Sequence, residues 1–197
     1  MSENTFVNNY ALSQCYWPQL PTYYRNHESD LVSPPFMPDV LNASYLSFSG
    51  ARSISLEDAL MWGTSEIMDT LAELAYTNAR KNSSSTGYCL RSVRQALTGA
   101  GLISAPSIGA YAKDSVDYFR SNQAFVEISG VSGADIPLLP RGTVVVYTHP
   151  TNPARSHAQI MLGYDLAASD YLHDGRAYSG NRVGDVWAFI PIEEMPL

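Results

Sequence analysis

The sequence predicts an α+β domain, helices first and an antiparallel sheet afterwards. Three observations carry that reading. Apolar residues recur at helical spacing between Ser55 and Ser121, with Leu60, Ile67, Met68, Leu71, Leu74 and Ala75 in the first part. After residue 122 the period shortens and β-branched and apolar runs take over, as in Gly142-Thr-Val-Val-Val-Tyr147. The composition, 45% hydrophobic and 16% charged over 197 residues, suits a globular chain that buries roughly 70% of its unfolded surface.

Each element has a local reason. Ser55 followed by Asp58 is a weaker relative of a capping box, so a helix is expected to open there. An interruption is expected near Gly63. The polar, Ser-rich run Lys81–Gly87 marks a loop. A second helix follows, with Leu90, Val93 and Leu97 on one face and Gly99-Ala100-Gly101 at its end. A third is expected over about Ile108–Ser121, burying Tyr111, Val116 and Phe119.

The strands follow. A Pro140-Arg-Gly turn opens the first, and His157–Gly163 reads as the second, with His157, Gln159 and Met161 on one face. Asp170–Leu172 is expected as a short third strand and Asp185–Ile192 as the last, closed by Pro191. No internal repeat is apparent. Residues 1–54 form a Tyr/Pro-rich arm, in which Pro18, Pro21, Pro34, Pro35 and Pro38 exclude a long helix. Its aromatics imply packing on the body at 55–197, with a partner-binding role as the alternative.

Charge and composition exclude several functions. Twelve basic against nineteen acidic side chains give a formal charge of −7, the opposite of a phosphate-binding surface, so nucleic acid is not an expected partner. Arg91 and Arg94, near Arg80 and Lys81, fall at helical spacing and read as a solvated helix face. No apolar run approaches the roughly 20 residues of a membrane span. The first 24 residues contain neither Lys nor Arg and no continuous apolar core, so no conventional signal peptide is read there. There is no CxxC, HExxH or Gly-rich phosphate loop, and neither a metal nor another cofactor is expected.

Cys89 is the most informative residue for chemistry. It falls in the first turn of the second predicted helix, after Ser85-Thr86-Gly87-Tyr88, where unpaired N–H groups and the helix dipole favour a thiolate. Gly87 is expected to let the chain approach closely. The alternative is a buried structural cysteine. Cys15 and Cys89 are expected as two free thiols with different roles. His157 is a candidate base, expected to open its strand at a sheet edge, with His149 and His173 as rivals and His27 in the arm. Asp170, 13 residues beyond His157, is a candidate third group that orients the imidazole; Asp165, His173 and Asp174 compete.

The order of these features resembles the NlpC-like and CHAP group of papain-like cysteine hydrolases, which cut peptide or amide bonds in bacterial peptidoglycan. It is carried by the Gly87-x-Cys89 helix start, the segment Pro106–Phe119, the Gly142-Thr-Val-Val-Val strand and Ser156-His157-Ala-Gln-Ile. Gly163 and Ser169-Asp170-Tyr171 are similar to amidase effectors of type VI secretion and to phage lysins. The likeness spans about residues 85–192. This chain departs from the common pattern in having Tyr88-Cys89-Leu90 at the nucleophile and Ser156 before His157.

The resemblance implies a papain-like fold, with Cys89 as nucleophile, His157 as base and Asp170 as third member. Tyr88 and Ser156 join as oxyanion or substrate residues. It implies the peptidoglycan stem peptide as substrate, and secretion machinery and a cognate immunity protein as partners. The site of action would be the periplasm or wall of a target bacterium. Alternatives are a phage endolysin of the same chemistry, a papain-like protease or deamidase acting on protein, and a non-enzymatic binding module.

Overall fold

A computed structural model describes residues 53–104, 107–175 and 183–192. The Tyr/Pro-rich arm up to residue 52, with Cys15 and His27, lies outside them. The chain opens with β1 (Ser53–Ser55), α1 (Leu56–Trp62), α2 (Glu66–Ala79), α3 (Cys89–Gly99) and α4 (Ser115–Ser121). The strands β2 (Phe125–Ser129), β3 (Val144–His149), β4 (Asn152–Gly163), β5 (Leu166–Ala168), β6 (Leu172–Asp174) and β7 (Val186–Pro191) complete it. They form one seven-stranded sheet in the order β1-β2-β7-β3-β4-β5-β6.

Local chemistry explains the helices. The Ser55 hydroxyl accepts from the Asp58 backbone N–H at 3.0 Å and caps α1. Gly63, at φ 73°, ends it, and Ser65 caps α2 in the same way. The third expected helix is shorter than its pattern: a 3-10 turn at Ala112–Asp114 leads into α4, and Tyr111 is 41% exposed rather than buried. The Tyr111 N–H donates to the Asp114 carboxylate at 2.9 Å, so that residue belongs to the cap and not to the helix face.

The antiparallel ladder holds from β2 through β6. The exception is β1, which pairs parallel with β2 and adds a strand ahead of the helices. The sequence reading contained neither β1 nor β2; β1 has three residues and too few positions for a period to show. The expected strand at Asp170–Leu172 is instead a hairpin turn: Asp170 lies between β5 and β6, and strand structure resumes at Leu172. The β4–β5 turn uses Tyr164 (φ 52°) and Asp165 (φ 58°), the two left-handed residues of a tight hairpin, so Asp165 is a turn residue.

Alternation along the strands divides the core. On one face Val144, Val146, Ala158, Ile160 and Phe189 pack against Leu71, Val93, Leu97, Val116 and Phe119 of α2, α3 and α4. On the other, Val145, Tyr147, Met161, Ala167 and Ile190 meet Ala59, Met68, Ile136 and Leu139. At Gly142 (φ 86°) a Cβ would collide with the Met68 backbone, so glycine there lets β3 start hard against α2. Arg141 beside it binds Asp69 at 3.0 Å, Glu73 and the Leu162 carbonyl at 2.8 Å, tying α2 to the end of β4 where β3 begins.

Candidate functional site

Cys89 is the first residue of α3 and is buried, at the point where the helix leaves its leading N–H groups without intrahelical acceptors. The loop before it is held by a single carboxylate. Asp170 Oδ2 accepts from Ser85 Oγ at 3.0 Å, Thr86 N at 2.5 Å, Thr86 Oγ1 at 2.9 Å and Tyr88 N at 3.3 Å. Its other oxygen accepts from Ser169 Oγ at 3.1 Å, and its backbone carbonyl from Asn82 Nδ2 at 2.7 Å. Tyr88 makes no side-chain cap to α3, so the cap-like carboxylate comes from the sheet instead. Burial pushes the Asp170 carboxyl up, but the donors from Thr86, Ser85 and Tyr88 outweigh it and hold the group ionised below its ordinary range.

Gly87 has φ 82° with open space where a Cβ would stand. Close approach, the expected reason for this glycine, is not what the position requires; the left-handed turn into the helix is. The Cys89 sulfur is disulfide-bonded, a correction to the expected free thiol. The chain's other cysteine, Cys15, lies outside the described residues.

His157 does not open its strand. β4 begins at Asn152, and His157 sits within it, fully buried. The expectation of a ring emerging at a strand start fails because the pairing with β3 extends through Ser156 to the hairpin at His149 and Asn152. His157 lies opposite Tyr147, with ring centroids 5.3 Å apart, and 5.4 Å from the ring of His173. Gln159, on the same face, accepts from Tyr147 Oη at 3.3 Å and donates to the Gly175 carbonyl at 3.0 Å. His157, Gln159 and Met161 therefore share one face as their spacing required.

That face is the one opposite α3. The two halves of the expected site are joined by the Asp170 turn. β5 pairs with β4 only from Ile160 to Gly163, so the chain turns beside the His157 end of β4. From there Asp170 fixes the loop before Cys89, and its charge acts on both His157 and His173. Burial pulls His157 down to about 3, helped by His173 and opposed by Asp170. Burial likewise lowers His173, whose Nδ1 lies 2.8 Å from the Asp174 carbonyl. Both imidazoles are neutral at pH 7. Burial, then the Asp170 charge, raises the neighbouring Tyr171 phenol.

The remaining residues divide. Ser156 is buried and its hydroxyl accepts from the Lys113 N–H at 3.1 Å, a link between β4 and the 3-10 turn on the helical face. The Tyr88 side chain is half exposed beside the start of α3, with Arg91 over its ring at 6.0 Å. His149 pairs with Thr151 at the β3–β4 hairpin. Sequence reasoning missed Ser85 and Thr86 as partners of Asp170; their signal was the polar loop itself, which without a fold has no address. Among the described residues no group of three or more His, Cys, Asp or Glu is placed to hold a metal ion, and no helix is long and apolar enough to cross a membrane.

The fold is an α+β domain in which one carboxylate, Asp170, binds the loop before the cysteine at the start of α3 and acts electrostatically on two buried histidines of the sheet. No family model matches the chain, and no curated protein does. Among solved structures it is similar to a chain of the type VI native effector–immunity complex Tae3–Tai3 from Ralstonia pickettii. The two are 22% identical, with 64% of this chain and 98% of that chain covered, at a TM-score of 0.49.

Proposed function

We propose that this chain is a papain-like cysteine hydrolase that cleaves amide bonds of peptidoglycan stem peptides, acting as a secreted antibacterial effector against a target cell's wall. The observation that carries the reading is the double role of Asp170. One buried carboxylate fixes the loop that delivers Cys89 to the start of α3, and acts electrostatically on His157. The sequence order Gly87-x-Cys89, then Ser156-His157, supports the family assignment.

The chemistry is acyl transfer. A dithiol reductant, itself oxidised to a disulfide, releases the Cys89 thiol. Neutral His157, buried in this structure on the sheet face opposite α3, must reach that thiol to take its proton as the sulfur attacks the scissile carbonyl carbon. The Cys89 N–H, at the helix start, donates to the developing oxyanion. Collapse breaks the C–N bond, the imidazolium gives its proton to the leaving amine, and a thioester remains. His157 then deprotonates a water that attacks the thioester, releasing a carboxylic acid and the thiol. In this scheme Asp170 is a positioning residue, committed by four hydrogen bonds to the nucleophile's loop.

The test is mass spectrometry of purified Gram-negative peptidoglycan after incubation with reduced wild type and with Cys89→Ala. Fragments produced by the wild type alone establish the hydrolase, and their masses name the bond. Intact muropeptides with both proteins, each shown folded, overturn it. A cognate immunity protein is then expected to abolish the activity on binding.

A further inference from the structure

The β2–β7 ladder ends at Ile128 and Ala188, whereas β7 stays paired with β3 as far as Val186. Continued in register, Gly130 would face Val186; its φ of 76° instead takes the chain out of the sheet. A cleft of about 490 Å³ opens where the two strands part, lined by Val131 and Ser132 on one side and by Val183, Asp185, Val186 and Trp187 on the other. Both sides are fixed. The Asp135 carboxylate accepts from Ser132 N at 2.8 Å and from Ser132 Oγ at 2.5 Å. Opposite, the Asp185 carbonyl accepts from Thr148 N at 3.0 Å, and the Gly184 and Asp185 N–H groups donate back to Thr148, each at 2.9 Å. Bonding alternates along a strand, so with the Asp185 carbonyl turned to β3, the N–H and C=O of Val186 turn to the cleft.

Side chains alternate as well, which sets Asp185 and Trp187 on one face and Val186 on the other. Asp185 is exposed, and among the described residues its carboxylate has neither a hydrogen bond nor an ion pair. No Lys, Arg or His is among the described residues that line the cleft. We infer that the cleft docks an extended segment of a protein partner that carries a lysine or arginine. The segment's main chain pairs with Val186 as a short added strand. The basic side chain next to the paired residue lays its aliphatic stem along Trp187 and brings its charge to Asp185. An anionic segment would meet that carboxylate in a chain of net charge −7, so charge selects the cationic one. β3 and β4 separate β7 from β5, and no lining residue belongs to the Cys89–Asp170 arrangement, so the inference stands apart from the hydrolase reading.

Three probes test it by NMR titration of isotope-labelled full-length protein: acetyl-Lys-Val-Lys-amide, its uncharged norleucine counterpart, and the lysine peptide N-methylated at valine. The lysine peptide is expected to shift the Val186 amide and Trp187 indole resonances. At low salt it should bind about two- to fivefold more tightly than the norleucine peptide. Asp185→Asn should erase that margin while the melting temperature stays at the wild-type value. N-methylation should weaken the lysine peptide about fivefold, because it removes the donor to the Val186 carbonyl. Three results would each overturn the inference: unmoved Val186 and Trp187 resonances, a margin that survives in Asp185→Asn, or indifference to N-methylation. Binding of diacetylchitobiose at these resonances in place of the peptide also overturns it, and makes the cleft a saccharide site.

Discussion

The Thr86 backbone N–H and hydroxyl both donate to the same oxygen of Asp170, at 2.5 and 2.9 Å, across 84 residues of sequence. A loop of seven polar residues would otherwise reach the start of α3 in many conformations. Two donors from one residue, with Ser85 and Tyr88 adding two more, select one of them.

Asp170→Ala removes that acceptor and leaves its donors in a part-buried pocket. A loss of about 2–4 kcal/mol in folding stability is expected, from charge-assisted hydrogen bonds and their desolvated partners. Urea denaturation checks it. The variant is also expected to lose hydrolysis more steeply than stability predicts, because the nucleophile's loop is no longer fixed. A variant of wild-type stability would show that Asp170 does not anchor the loop.

Gly87→Ala places a Cβ in open space, so any cost comes from φ 82° alone. A destabilisation of about 1–2 kcal/mol is expected. The measurement is thermal unfolding beside the rate of Cys89 alkylation in reduced protein. Gly87→Asn, a residue more tolerant of left-handed backbone, should recover part of both.

Cys89 is disulfide-bonded, so alkylation by iodoacetamide is expected only after reduction. Hydrolysis of peptidoglycan should show the same dependence, rising from background on addition of a dithiol. Peptide mapping of the alkylated protein locates the label. Full activity without reductant, or in a sample already blocked at Cys89, would remove that sulfur from the chemistry.

Acid should destabilise the protein through three groups acting in the same direction, the buried imidazoles of His157 and His173 and the carboxylate of Asp170. Burial holds His157 at about 3, below its ordinary 6.5, so the unfolded chain binds its proton first. Stability from the neutral imidazole is present above about pH 6.5 and is lost as pH falls toward about 3. Asp170, held below its ordinary value, adds a loss at the acid end of that window as it protonates. Melting temperatures taken from pH 7 down to pH 3.5 check the slope, and His157→Gln is expected to flatten its upper part.

Local chemistry in the sequence determined much of this protein. The Ser55 cap, the break at Gly63, the helix beginning at Cys89 and the common face of His157, Gln159 and Met161 all follow from residues within a few positions of one another. Such features depend on dihedral preference and side-chain period, which a linear pattern carries. Tertiary structure decided the rest. The parallel β1–β2 pair joins segments more than 70 residues apart, and neither short strand announces its partner. The burial of His157 depends on β3 and on the histidine of β6, and Asp170 acquires its donors from a loop that only the α3–sheet packing brings to it. Electrostatics and hydrogen bonding act over a few ångströms of space, and that distance has no counterpart along the chain.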